Sequence, residues 1–207
     1  MSVRLITCTP SGEEIMTYTA RVSNVQNQEN KNITRLLRYC LKNGHVSIFE
    51  TAYMTVEINT TISIASQLLR HRSFTFQQFS QRYANVNDLG SINIPELRRQ
   101  DTKNRQNSID DIDEAKNKYF QEKISNHFRD SFLLYNEMIE YGVAKESARF
   151  VLPLSSPTRL YMTGNCRSWI HYLQSRTHVS TQKEHREIAL QIKEIFKEVY
   201  PTISELL

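Results

Sequence analysis

Arg70, His71, Arg72 and Arg82 fall within thirteen consecutive positions and are interleaved with Phe74, Phe76, Phe79 and Tyr83. A guanidinium grips phosphate or carboxylate through a planar, two-pronged donor fork. Flat aromatic neighbours exclude water and so strengthen each polar contact made beside them. If the chain after Arg72 is extended, alternation puts Gln78, Ser80 and Arg82 on one face, a set suited to a phosphorylated polar ligand. The same residues also suit a plainer role, with the cations completing a helix C-terminus and the aromatics filling a core. The five glycines, at 12, 44, 90, 142 and 164, do not cluster, which excludes a P-loop and a dinucleotide fingerprint. Any bound nucleotide must therefore be held by arginine forks and helix termini.

A second stretch, residues 165–176, reads as a helix. Arg167 and His171 are four apart and share a face, whereas Ile170 and Leu173 mark another. Asn165 and Arg176 lie about three turns, roughly 16 Å, apart on one side, so one helix can reach two parts of an extended ligand pair. The alternative is a solvated amphipathic helix. His45 and His71 are equally readable as satisfied core histidines. Cys166 lacks an activating pattern and reads as a buried structural thiol, and Ser80 lacks an evident base and reads as a binding residue.

The elements around these residues follow from periodicity. Residues 2–9 alternate as a first strand ending at Pro10, and Ser11-Gly-Glu-Glu14 predicts a capping box for a helix through Arg21. A polar loop over 24–32 precedes a helix from Ile33, stopped by Asn43-Gly44. Residues 46–58 give a turn and then a strand; 60–72 give a helix; an extended piece runs through Asn85; a short strand is expected over 92–94. Residues 98–110 look least structured, 111–141 form a long helix closed by Gly142, 145–151 a short helix, and 157–163 a strand. The helix over 165–176 follows, and Thr181-Gln-Lys-Glu184 caps a last one through Tyr200. Helices and strands without regular alternation predict an α+β fold, a single domain over 1–207 with a mainly antiparallel sheet packed by long helices.

Bulk properties narrow the partners. A net charge of +4 requires neither a nucleic-acid coat nor a polybasic membrane anchor. Sixteen arginines against ten lysines favour specific anion recognition over diffuse charge. Three cysteines without a CxxC or histidine pairing imply reduced thiols and no metal. Without a membrane-length apolar run or a signal pattern, a soluble cytoplasmic protein is expected.

Arg70-His71-Arg72, seven further residues and Ser80 resemble the RHR-x7-S motif of flavin-dependent thymidylate synthases. His45-Val-Ser47-Ile-Phe-Glu50 resembles that family's upstream HxSxxE segment, and Ala148-Arg149-Phe-Val-Leu-Pro153 its AR-x-x-LP segment. Asn165-Cys-Arg167 with Arg176 resembles its NxR…R helix, and Gln182-Lys-Glu184 its QxE close. With these blocks in order from His45 to Arg186, the chain is identified as a member. Thr75, Gln77, Gln78 and Thr51 depart from the commonest family residues, and Gln78 brings no charge where some members carry a glutamate.

The resemblance implies that His45, Ser47, Arg70, His71, Arg72, Gln78, Asn165, Arg167 and His171 bind FAD. It implies that Gln67, Arg70, Gln78, Phe79, Ser80, Gln81, Arg82, Arg149 and Arg176 bind dUMP, with Arg176 catalytic. It further implies methylation of dUMP to dTMP without an enzyme nucleophile, with methylenetetrahydrofolate giving the carbon, reduced flavin the hydride and NADPH the reducing equivalents. A homotetramer with shared active sites is implied as well. Two other classes stay open on the residues alone: a single-stranded nucleic-acid module using the arginine–aromatic stretch, and a flavoprotein that oxidises NADPH without methylating anything.

Overall fold

The run of β-branched and aromatic residues after position 52 becomes the central strand of the protein, whose computed structural model describes residues 1–90, 94 and 96–206. In chain order the strands are β1 (Ser2–Cys8), β2 (Tyr53–Thr61), β3 (Thr75–Gln78), β4 (Arg99–Gln100), β5 (Ser108–Ile109) and β6 (Pro157–Asn165). The helices are α1 (Gly12–Ala20), α2 (Thr34–Lys42), α3 (Ile62–Leu68), α4 (Glu114–Glu140), α5 (Lys145–Ala148), α6 (Cys166–Arg176), α7 (Lys183–Val199) and α8 (Pro201–Ser204). Short 3-10 turns occupy Val25–Asn27, Val46–Glu50, Val86–Leu89 and Arg149–Val151.

The main sheet has the order β1-β2-β6-β3, and β4 pairs with β5 in a separate ribbon. Side chains report the register of β2 on β6. Thr55 bonds Thr163, Tyr161 bonds Glu57 and Arg159 bonds Asn59, so one index falls by two as the other rises by two. That is the signature of an antiparallel pair. The expected α+β class, with a mainly antiparallel sheet and long helices, is what the chain forms.

The chain clusters into two compact units. The first comprises Met1–Ile58, Leu69–Gln77 and Tyr161–Leu207. Its core is built from Phe49, Met54, Val56, Met162, Trp169, Tyr172, Ile188, Ile192, Phe196 and Tyr200, all without solvent exposure. α7 packs on β1 and α6. Trp169 donates its indole N–H to the carbonyls of Met54 and Gly164, both at 3.1 Å, which ties α6 to β2 and β6. The second unit comprises Asn59–Leu68 and Gln78–Leu160. Its core gathers Val86, Tyr135 and Ala148 with Phe132, Met138 and Val151 around α4. Asp113 caps α4 by accepting the Lys116 N–H at 3.0 Å, and Gly142, at φ +97°, lets the chain turn away at its end.

Several expectations need correction. The helix expected over 60–72 is only α3, because β2 runs on to Thr61 and the chain turns after Leu68. Arg70-His71-Arg72 thus sits in a turn, not at a helix end. The extended piece expected through Asn85 stops as β3, since the Ser80 carbonyl accepts the N–H groups of Tyr83 and Ala84 and closes a turn. Ser80 and Arg82 therefore do not share a strand face with Gln78. Residues 98–110 form the β4–β5 hairpin, in which the Asp101 carboxylate accepts the N–H groups of Lys103 and Asn104. Ser11 precedes α1 in the left-handed region (φ 50°) without a side-chain cap. Gln182, not Thr181, is the cap position of α7, and α8 follows Tyr200 unannounced. The strand expected over 92–94 falls, apart from Ile94, outside the described residues.

Phe74 lies over Gly164, where a Cβ would stand 2.5 Å from the ring; the ring is also wedged against Trp169 at a centroid distance of 4.6 Å. Gly164→Ala should lower stability by about 1–3 kcal/mol through this overpacking. A urea denaturation midpoint unchanged from wild type would contradict it.

Candidate active site

The first unit contains a cleft of about 760 Å³, within the range of small-molecule and cofactor sites. Its walls come from three of the segments singled out in the sequence: Val46, Phe49 and Glu50 from the turn before β2, Ser73 from the turn after α3, and Asn165, Arg167, Ser168, His171 and Gln174 from α6. Local chemistry explains why α6 starts there. Asn165 accepts the Ser168 N–H through Oδ1 at 2.9 Å, capping the helix and aiming its first turn at the cleft. Arg167, in that first turn, pairs with Glu50 across the mouth, both side chains being about half exposed (53% and 44%). The Cys166 and Ser168 N–H groups are bonded to the Ala52 carbonyl and to Asn165, so the Arg167 cation and the helix dipole are what favour an anion at this helix start. Arg167 and His171 are exposed on the cleft side and Leu173 is buried, as the spacing requires, but Ile170, which the spacing groups with Leu173, also lines the cleft.

Arg70 and Arg72 are exposed on the turn that carries Ser73, and among the described residues neither side chain has a hydrogen-bond or ion-pair partner. His45 and Ser47 are exposed at and beside the start of the Val46–Glu50 turn; His45 packs edge-on to Tyr39 at 5.7 Å. Neither lines the cleft.

His71 and Arg176 meet directly. Arg176 donates its Nε–H to His71 Nε2 at 3.0 Å. His71 must therefore carry its proton on Nδ1. Burial, then the neighbouring charge of Arg176, then His171 push its pKa down to about 4, so the acceptor is neutral at pH 7. His185, on the first turn of α7, is buried and contacts the Tyr172 hydroxyl through Nε2 at 3.2 Å. Burial, Arg176 and His71 push it down to about 4 as well. Burial raises the Tyr172 hydroxyl, with Arg176 opposing. Cys166 is buried and its thiol pushed far up by burial, and so is chemically quiet.

The remaining expected residues belong to the second unit. Gln67 lies half-buried on α3. Gln78 donates to the Thr158 hydroxyl at 3.2 Å, and the Phe79 N–H bonds the Arg159 carbonyl at 2.8 Å. Ser80 opens the following turn, and the amide nitrogen of Gln81 is buried without a hydrogen-bond partner among the described residues. Arg82 pairs with Glu146 through Nε and Nη2, at 3.2 and 3.1 Å. Arg149 lies over the Phe150 ring at 5.8 Å. Sequence reasoning passed over Glu50, Glu146, Tyr172 and His185. The first two stand inside or beside quoted motifs, and Tyr172 is four residues before Arg176, a spacing that marks a shared helix face. Nothing local distinguishes His185.

The unit thus carries a half-buried arginine with an uncharged acceptor, exposed arginines on a turn and a cleft beside the start of α6. The family described as "Thymidylate synthase complementing protein" matches residues 4–202, and the chain belongs to it. A "Flavin-dependent thymidylate synthase" of Synechocystis sp. is 51% identical over 197 residues, covering 95% of this chain and 90% of the relative. A "Probable flavin-dependent thymidylate synthase" of Paramecium bursaria Chlorella virus 1 is 47% identical over 100% of this chain and 99% of its own. The crystal structure of a UMP/dUMP methylase, PolB from Streptomyces cacaoi bound with 5-Br dUMP, superposes with a TM-score of 0.87 at 25% identity, covering 99% of this chain and 93% of that one.

The two neutral histidines give a signed pH dependence. Their folded pKa values near 4 lie below the ordinary 6.5, so between those values the unfolded chain binds more protons than the folded one. Stability should thus be fully present above pH 6.5 and fall as pH drops toward 4, by at most about 1.4 kcal/mol per pH unit for each histidine. Denaturation midpoints across this window check it, and a His71→Gln variant should show a shallower slope.

Proposed function

We propose that this chain is a flavin-dependent thymidylate synthase, methylating dUMP reductively to dTMP, and that residues 1–207 work as one domain of that kind. The observation that carries the reading is the Arg176–His71 pair. A carboxylate partner would cancel the charge of Arg176, whereas a neutral imidazole orients the guanidinium and leaves its positive charge intact. A fixed cation of that kind stabilises an ionised uracil imide, which raises electron density at the ring carbon that accepts the one-carbon unit. No enzyme nucleophile is then required: Cys166 is a quiet thiol and the Ser80 hydroxyl is placed to cap its own turn, toward the Arg82 N–H.

The donor set fits FAD. Arg167, Arg70 and Arg72 would supply cations for a pyrophosphate beside the positive end of α6, and Phe49, Val46 and Ile170 would supply apolar wall. We assign FAD binding to these residues with His45, Ser47, His71, Gln78, Asn165 and His171. A reduced flavin, when bound, supplies hydride. For dUMP we assign Gln67, Arg70, Gln78, Phe79, Ser80, Gln81, Arg82, Arg149 and Arg176; the unpaired Gln81 amide is suited to a ligand carbonyl. Methylenetetrahydrofolate as carbon donor, NADPH as reductant and action in the cytoplasm complete the proposal; among the described residues no helix is long and apolar enough to cross a membrane. A homotetramer with shared active sites is part of the same proposal, and the exposed Tyr119, Phe120, Leu133 and Leu134 of α4 offer apolar surface that a neighbouring subunit would cover.

Purified protein should be yellow, release tritium from ring-labelled dUMP with methylenetetrahydrofolate and NADPH, and sediment as a tetramer. Arg176→Ala should lower turnover by roughly a hundredfold or more while flavin stays bound. NADPH oxidation without dTMP, or colourless protein that takes up no flavin, would overturn the assignment.

A further inference from the structure

Behind Arg176 lies a polar arrangement that close packing alone does not need. Tyr172 precedes Arg176 by one helical turn and is wholly buried; His185, 1% exposed, meets its hydroxyl at 3.2 Å. The His71 ring is set edge-on to both, 5.0 Å from Tyr172 at 77° and 6.0 Å from His185 at 85°, and edge-on to Phe74 at 6.4 Å. These rings form the walls that fix the plane of the imidazole whose Nε2 accepts from Arg176 at 3.0 Å. A buried hydroxyl–imidazole pair is costly to desolvate, and an apolar pair of similar shape would pack there at little or no loss. The polar pair does what an apolar one cannot: a directional bond stops the Tyr172 ring from sliding along α7.

We propose that His185 is a positioning residue for Arg176, holding through Tyr172 the ring wall that keeps His71 turned toward the guanidinium. Among the described residues, the charged and titratable groups seen to face this wall include Arg176 and His171 from α6, His71 from the turn after α3, and His185 from α7. Burial first, and the Arg176 charge second, hold both His71 and His185 neutral at pH 7. The charge that the wall serves thus adds to the burial that keeps the wall unprotonated.

The inference rests on the thymidylate synthase reading, so its test has one arm that measures turnover and one that does not. Tyr172→Phe removes the hydroxyl and leaves the ring. His185→Phe removes the imidazole and leaves the bulk. Each should lower kcat for tritium release from dUMP roughly ten- to a hundredfold, the cost of a small misplacement of a catalytic group, in protein that still carries flavin. The double variant should be no slower than either single one, as two members of one linkage require. His185→Gln, which can still bond the hydroxyl, should restore most of the rate. In nitrogen NMR of the intact protein at pH 7, the Arg176 Nε–H should be protected from exchange in wild type and in His185→Gln, and lose protection in both Phe variants. A merely structural pair would lower the melting temperature and leave kcat and that signal unchanged, and this result would overturn the proposal. Wild-type protein without dUMP methylation would instead overturn the functional reading, and the Arg176 signal would then decide the positioning role by itself. If His185→Phe does not fold, Tyr172→Phe carries the same expectations alone.

Discussion

A single neutral acceptor organises the first unit. Arg176 ends α6, and His71 occupies a turn more than a hundred residues earlier; their hydrogen bond fixes both against each other. The bond holds because His71 is unprotonated, and His71 is unprotonated because it is half-buried beside the very cation it serves. Charge, burial and geometry are thus three aspects of one constraint. The packing of Phe74, Trp169 and Tyr172 exists on the same terms, since each ring that excludes water from His71 also keeps it neutral.

The other arginines obey a different logic. Arg167 and Arg82 are compensated by Glu50 and Glu146 at exposed positions, where an ion pair contributes little to stability and is easily exchanged for another anion. Such pairs keep flexible cations extended and pre-aimed. Arg70 and Arg72 have no such partner among the described residues and sit on a turn exposed to solvent. One chain therefore holds arginines in three states, each matched to how firmly its charge must be placed: locked by a neutral base, lightly paired, and free.

Much of this was legible beforehand, and the reasons are physical. Long periodic segments such as α4 and α7 declare themselves because their apolar spacing repeats over many turns. The alternation in β2 and β6 does the same for strands. The arginine motif was visible as composition, although of its turn only Ser73 lines the cleft. What escaped reading was decided by tertiary context. Whether residues 69–74 continued α3 depended on Phe74 finding Gly164, ninety positions on. The hairpin at 99–109 depended on Asp101 bonding two backbone N–H groups and Arg99 reaching Asp111, both local but both polar and so easily taken for loop chemistry. Partnership between charges, as in Arg167–Glu50 or the neutral Arg176–His71 link, cannot be read from either member alone.

The composition of the first unit has a consequence for how the protein is made. Val3 donates its N–H to Gln191, Glu13 accepts the Ile203 N–H, and Tyr200 reaches back to the Tyr53 carbonyl while its ring covers Gly12. The strand β1 and helix α1 are thus completed by segments that leave the ribosome well over a hundred residues later. During synthesis β1, α1 and β2 must wait, with apolar faces uncovered, until α7 and α8 emerge. Such long-range closure slows folding and exposes the nascent chain to self-association, so a growing cell that expresses this protein quickly has reason to shield its early half.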